Sequence, residues 1–207
     1  MRFVLASASP ARLSTLRSAG VEPEVMVSGV DEDSIRATSI PRLVGALAEV
    51  KARAVAAQVD GAALVLGCDS LLELDGQPLG KPADAAGAVA RWRLMRGHAG
   101  VLHTGHALLH VESGAVVGEV HESASTTVRF ADVTDREIDT YVGTGEPLCV
   151  AGAFTIDGLG GWFIESVHGD HHNVVGLSLP LLRRMVHNLG FGLEQLGYPA
   201  APAEAAR

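Results

Sequence analysis

Leu64-Val65-Leu66-Gly67-Cys68-Asp69-Ser70 is an apolar run cut off by a carboxylate. Near-continuous apolar residues over this length mark a strand buried on both faces, as in the sheet of an α/β protein. Such sheets keep their ligand crevices outside the carboxyl ends of the strands, so Asp69 is expected at the strand's end, facing a crevice. The next run, Ser70-Leu71-Leu72-Glu73-Leu74, is closed by Asp75-Gly76, a two-residue hairpin signal. The chain then doubles back and Gly80-Lys81-Pro82 returns towards Asp69. A carboxylate and an ammonium on one edge suit a phosphate-bearing ligand and its metal ion. The plainer alternative has Asp69 capping a turn and Lys81 on the surface.

Composition narrows the class. The chain has 207 residues, 47% of them hydrophobic and 19% charged, enough to bury a full core, which excludes disorder for most of its length. A formal charge of −8 argues against duplex nucleic acid as a partner, because such binders depend on basic stripes. No apolar run approaches the ~18 residues of a membrane span, and no basic-then-apolar leader opens the chain, so no membrane association and a cytoplasmic location are expected. Cys68 lies inside the proposed buried strand, and with Cys149 it fits reduced thiols better than a disulfide framework.

Working outward, Phe3-Val4-Leu5-Ala6 reads as a short strand broken by Ser7-Ala8-Ser9-Pro10. Ser9 is an N-cap with Pro10 at the first helical position; Leu13 and Leu16 give the helix an apolar face and Gly20 stops it. A strand, a hydroxyl-rich turn and a helix start make a ready anion site. Arg12 falls in the first turn, where a cation opposes the helix dipole, and this points to a bound anion. Val25-Met26-Val27 reads as a strand, the acidic Asp31-Glu32-Asp33 as loop, and Ser39-Ile40-Pro41 as the start of a helix to about Val59. Lys51 lies within that helix's apolar stripe of Val44, Leu47, Ala54 and Val55, so it either snorkels out or points into a polar cleft; beside an anion site the cleft is preferred.

Further on, a helix is expected from about Ala83 to Arg96 with Trp92 in the core, then a long hairpin of Val101 to Leu109 and Val116 to Phe130 turning at Glu112-Ser113-Gly114. Thr134-Asp135-Arg136-Glu137 is a capping box. A glycine-rich loop spans Gly145 to Gly161, Trp162-Phe163-Ile164 with Val167 reads as a strand, and a last helix runs from about Ser178 to Leu189. Residues 1–198 are read as one domain and 199–207 as a frayed tail. Gly76 to Lys81 fails as a P-loop, with three residues between its glycines and Pro82 where Ser or Thr should follow Lys81. Gly158-Leu159-Gly160-Gly161 lacks dinucleotide-binding spacing, and His168, His171 and His172 lack a zinc-site spacing and are read as structural or surface groups.

In order along the chain, these segments resemble one family, the Maf-type nucleoside triphosphate pyrophosphatases. Ser7-Ala8-Ser9-Pro10-Ala11-Arg12 is similar to its S-x-S-P-R-R opening, Asp31-Glu32 to its D-E loop, and Leu47-Ala48-Glu49-Val50-Lys51-Ala52 to its L-A-x-x-K-A helix. Gly67-Cys68-Asp69-Ser70 resembles its G-A-D-T strand, and Asp75-Gly76 with Gly80-Lys81-Pro82 its D-G and G-K-P elements. Thr104-Gly105, Tyr141 to Pro147, Ala151-Gly152-Ala153 and Asn173-Val174-Val175-Gly176-Leu177 extend the likeness to about residue 190.

The resemblance implies a mixed, twisted α/β sheet with flanking helices, two lobes and a central cleft, in a homodimer. It implies hydrolysis of nucleoside triphosphates between the α and β phosphates, dependent on Mg²⁺ or Mn²⁺; the alternative from another class is a non-catalytic nucleotide-binding regulator of septum formation. Asp69 takes the family's proton-acceptor position, and Ser7, Arg12, Glu32, Lys51 and Lys81 its polar cleft positions. Arg12, Lys51 and Lys81 suit the triphosphate, while Glu32 and Asp69 suit a hard cation, with Asp69 either base or metal ligand. Ala11, Ser70 and Asp157 match neither the pyrimidine-preferring branch nor the branch acting on 7-methyl-GTP, which leaves base specificity open. Ser70, Asp157 and Asn173 complete the candidate substrate-binding set; Asp157 would accept from a purine amine or cap a turn.

Overall fold

The long hairpin anticipated from the two extended runs is the backbone of the molecule. In the computed structural model, which describes residues 1–198, β5 (Ala99–Glu112) and β6 (Ala115–Phe130) pair antiparallel along nearly their whole length. Before them come β1 (Arg2–Leu5), α1 (Pro10–Ser18), β2 (Glu24–Val25), α2 (Ile40–Ala56), β3 (Ala63–Leu74), β4 (Gln77–Leu79) and α3 (Ala85–Met95). After them come α4 (Asp135–Gly143), β7 (Ile164–His168), α5 (His171–Val175) and α6 (Leu179–Asn188). The sheet order is β2-β1-β3-β5-β6-β7, with β4 also on β3; β2, β1 and β3 are parallel and the remaining pairings antiparallel, giving the expected mixed sheet. The proposed tail, 199–207, lies outside the described residues.

β3 corrects the first expectation. The two short runs read from sequence are one continuous strand, and Asp69 sits in its middle, not at its end. Continuity comes from β5, which pairs with every residue of β3 from Ala63 to Glu73. The opposite edge changes partner: β1 pairs with residues 63–66 and β4 with residues 72–74. Residues 67–71 have no strand beside them there. The crevice is this notch in a sheet edge, not the end of a strand.

Side chains alternate across the sheet, so the two faces bury different cores. On one face α2 is packed, placing Ala48, Ala52 and Val55 over Val65, Ala107 and Leu109. Two glycines permit that approach: a Cβ on Gly67 would collide with the Ala48 carbonyl and one on Gly105 with the Val44 carbonyl. On the other face, α1 and α6 cover Leu5, Leu64, Leu66 and Leu108, and further along α3 and α4 cover Leu72, Leu102, Val128 and Phe130. These two cores are the two lobes. The second is centred on Trp92, which is fully buried, edge-on to Phe130 and Tyr141, and donates from Nε1 to the Ala153 carbonyl at 2.8 Å. Truncating such a residue to alanine costs about 3–5 kcal/mol.

The local signals hold elsewhere. Asp75 and Gly76 both have positive φ, at 48° and 76°, as a two-residue hairpin of this type demands. Thr134 and Glu137 form both halves of the capping box. The second strand is only two residues long, α2 ends at Ala56, and Trp162-Phe163 is not strand: it belongs to a 3₁₀ turn, Leu159–Phe163, and Trp162 is 87% exposed. The Glu146 carboxylate accepts from the amides of Leu159 and Gly160, both at 3.0 Å, and curls that segment before β7 can begin. Among the described residues, no helix is long and apolar enough to cross a membrane.

Candidate active site

The turn after β1 is organised by hydroxyls. Ser7 Oγ accepts from the Ser9 amide at 3.2 Å, and Ser9 caps α1 by accepting from the Arg12 amide at 3.4 Å. The Arg12 side chain then folds inward instead of reaching solvent. Its Nε donates to the Gly176 carbonyl at 2.7 Å, Nη1 to Ser7 Oγ at 3.0 Å and Nη2 to Ser70 Oγ at 3.0 Å. Gly176 ends α5 with φ 115°, and the glycine brings its backbone against the guanidinium. A guanidinium has five N–H donors; these three bonds leave one on each terminal nitrogen. All three acceptors are neutral, and among the described residues no carboxylate pairs with Arg12. A 91%-buried cation with two spare donors and no carboxylate bonded to it is suited to an anion.

Lys51 points into the cleft, as preferred. Its Nζ lies 2.6 Å from Asp69 Oδ1 and 2.8 Å from Glu32 Oε1. Asp69 and Lys51 are both buried, whereas Glu32, on the 3₁₀ turn Glu32–Ser34, is exposed. Burial raises the Asp69 pKa above the ordinary carboxylate range, outweighing the opposing pull of the Lys51 ammonium, its hydrogen bond and the Arg12 charge. A carboxylate so placed is a better proton acceptor than one in water. Asp69 and Ser70 are neighbours on β3 and face opposite sides of the sheet, but the edge beside them is unpaired, so Arg12 and the Lys51 pair serve one notch. Ser7 ties the two halves together, because it bonds Arg12 and lines the same hollow as Glu32 and Lys51.

Other candidates are placed differently. Lys81 does follow a chain that returns to β3, with Gly80 against Leu71, but its side chain is exposed and makes no hydrogen bond or ion pair among the described residues. Asp157 is exposed on the glycine-rich loop, with no partner among the described residues. Asn173 is fully buried and holds elements together: Nδ2 donates to the Leu102 carbonyl and to Thr126 Oγ1, both at 3.1 Å. Ser70 joins the Arg12 group. Sequence reasoning missed Thr104, His106 and the Gly176 carbonyl; polar residues at 104 and 106 inside an apolar run were the available signal. His172 is a structural neighbour of Asp170, which caps α5 through the His172 amide at 3.0 Å.

The family of Maf-like proteins matches residues 2–189 of this chain. A protein of Streptomyces coelicolor named nucleoside triphosphate pyrophosphatase is 58% identical over 201 residues, 96% of each chain. A protein of the same name from Salinispora tropica is 56% identical over 200 residues, 95% of this chain and 87% of its own. Among solved structures, a HAM1 protein from Coxiella burnetii aligns with 64% of this chain and 74% of its own at a TM-score of 0.43 and 18% identity.

Proposed function

The chain belongs to the Maf-like protein family, and from that premise we propose that it hydrolyses nucleoside triphosphates at the α–β anhydride, yielding a nucleoside monophosphate and pyrophosphate and clearing non-canonical or excess nucleotides. The observation that carries this reading is the pairing of a buried Arg12 fork, bonded only to neutral acceptors, with a buried carboxylate of raised pKa at the same notch. The free N–H groups of Arg12 take up two oxygens of the polyphosphate side by side, and the hydroxyl turn before α1 lies next to them. Each charge-assisted bond is worth about 1.5–3 kcal/mol.

Asp69 orients a water molecule towards the α-phosphorus and accepts its proton as the new O–P bond forms. The bond from the α-phosphorus to the bridging oxygen breaks, and the oxygen leaves with pyrophosphate. Lys51, adjacent to Asp69, offsets charge building on the phosphoryl oxygens.

The donor set fits a hard divalent cation. Lys51 engages only one oxygen of Glu32 and one of Asp69, leaving each carboxylate a second oxygen of the kind Mg²⁺ or Mn²⁺ prefers. When bound, such an ion supplies Lewis-acid neutralisation of the phosphates. Lys81 and Asp157 are proposed as outer contacts, reached by the ends of a substrate longer than the notch, and Ser70 as a member of the substrate site through its bond to Arg12. The proposed species is a cytoplasmic homodimer.

The test is to incubate purified protein with canonical and modified triphosphates and either cation, resolving pyrophosphate from orthophosphate. Pyrophosphate release, lost in Asp69→Asn with folding retained, is expected. Orthophosphate as the first product, or no turnover of any triphosphate, refutes the reading.

A further inference from the structure

Behind Arg12 lies a line of hydroxyls whose proton order can be worked out from the acceptors alone. Thr104 Oγ1 is 3.0 Å from the Asn173 carbonyl oxygen, and Ser70 Oγ is 2.9 Å from Thr104 Oγ1. A carbonyl only accepts, so Thr104 spends its single proton on Asn173. Thr104 Oγ1 therefore accepts from Ser70, which spends its own proton there. Ser70 is left with lone pairs, one of which takes the Arg12 Nη2 proton at 3.0 Å. The line runs one way: Arg12 to Ser70 to Thr104 to the Asn173 main chain. Its far end is firm, because Thr104 and Asn173 have no exposed surface and Asn173 is bonded to both β5 and β6.

We infer that Thr104 is a positioning residue for phosphate capture, acting through Ser70 to aim the Arg12 fork at the notch. A serine hydroxyl with no fixed acceptor rotates, and in some orientations turns its proton towards the guanidinium. Thr104 removes that freedom. Arg12 is then gripped at all three nitrogens, by Gly176, Ser7 and Ser70, which fixes the plane of its fork. The inference rests on the reading of this notch as the triphosphate site.

The test is a double-substitution cycle with Thr104→Val and Ser70→Ala, alongside Thr104→Ser and Thr104→Ala. Kinetics are read as separate kcat and KM, pyrophosphate affinity by calorimetry, and Arg12 Nε–H exchange by NMR on the ligand-free protein. Thr104→Val is expected to raise KM and weaken pyrophosphate binding roughly five- to tenfold, the factor that about 1–1.4 kcal/mol gives, with kcat within about twofold. It should also speed Arg12 exchange. Thr104→Ser should restore all three, and Thr104→Val should add nothing in the Ser70→Ala background. If Thr104→Val does not fold, Thr104→Ala takes its place in the cycle. Equal penalties in both backgrounds, or no rescue by serine, would show Thr104 to be packing alone and overturn the inference. The exchange measurement decides it even if wild-type protein releases no pyrophosphate, a result that would instead defeat the reading of the site.

Discussion

Acidification is expected to strike first at His106. The ring is fully buried on β5; its Nδ1–H donates to the Thr104 carbonyl at 3.1 Å, and Nε2 accepts from the Ser178 amide at 2.9 Å. A carbonyl cannot donate and an amide cannot accept, so the tautomer is fixed and the ring is neutral. Burial, and then the nearby Arg12 charge, lower its pKa from 6.5 to about 4, against weaker upward pulls from the Thr104 carbonyl and Asp170. The fall from 6.5 to about 4 corresponds to about 3 kcal/mol. The unfolded chain binds this proton more readily than the folded one. The contribution is thus complete above pH 6.5 and is lost as the pH falls from there through about 4. Against a total stability of about 5–15 kcal/mol it is a large share. Urea unfolding of the wild type and of His106→Gln at pH values across this window isolates the effect, since the variant cannot titrate at 106. The wild type should lose about 3 kcal/mol more than the variant on going from neutral pH to pH 4. Parallel pH profiles, or a His106 NMR resonance titrating near 6.5, would refute the reasoning. A protonated Nε2 would face the Ser178 amide donor to donor, in the segment whose Gly176 carbonyl holds Arg12.

Two other substitutions probe the architecture. Asp69→Asn should lower kcat by at least about a hundredfold, the usual range for losing a general base. Wild-type activity should fall on the acid side as the pH drops through the raised Asp69 pKa. The stability effect has the opposite sign. A raised folded pKa contributes stability below the unfolded value and loses it as the pH rises through the folded one, so near neutrality Asp69→Asn should melt no lower than the wild type; a clearly lower melting temperature would count against a strained carboxylate. Gly105→Ala, which forces a methyl into the Val44 carbonyl, should destabilise by about 3 kcal/mol in chemical denaturation, and a change under about 1 kcal/mol would mean that α2 does not lie on the backbone of β5.

Much of this site was legible because its signals are local. A serine before proline marks a helix start wherever it occurs, and Asp75-Gly76 asks for positive φ at both positions; both are met. Lys51 was identified by its place in an apolar stripe, a periodicity argument that needs no tertiary knowledge. Asp69 was expected to share its edge with Lys81, whereas the ammonium beside it is Lys51; it was also set at a strand end, because an edge that trades β1 for β4 is a property of pairing and leaves no mark on β3 itself. Arg12 was flagged by its conflict with the helix dipole. Its actual anchors, Ser7, Ser70 and the Gly176 carbonyl, lie 5, 58 and 164 residues away, and the last is a main-chain atom that sequence cannot single out. Trp162 failed as a strand residue for a similar reason: Glu146, remote along the chain, accepts the Leu159 and Gly160 amides and holds the start of the 3₁₀ turn that contains Trp162.

The bare stretch of β3 between its two edge partners has one more implication. Its main-chain amides and carbonyls are there whichever side chains stand on them, but Gly67, Asp69 and Ser70 are not free to vary: a Cβ at 67 meets the Ala48 carbonyl, Asp69 holds Lys51 and Ser70 holds Arg12. Proline anywhere from 67 to 71 would in addition take away a main-chain donor that no side chain can replace.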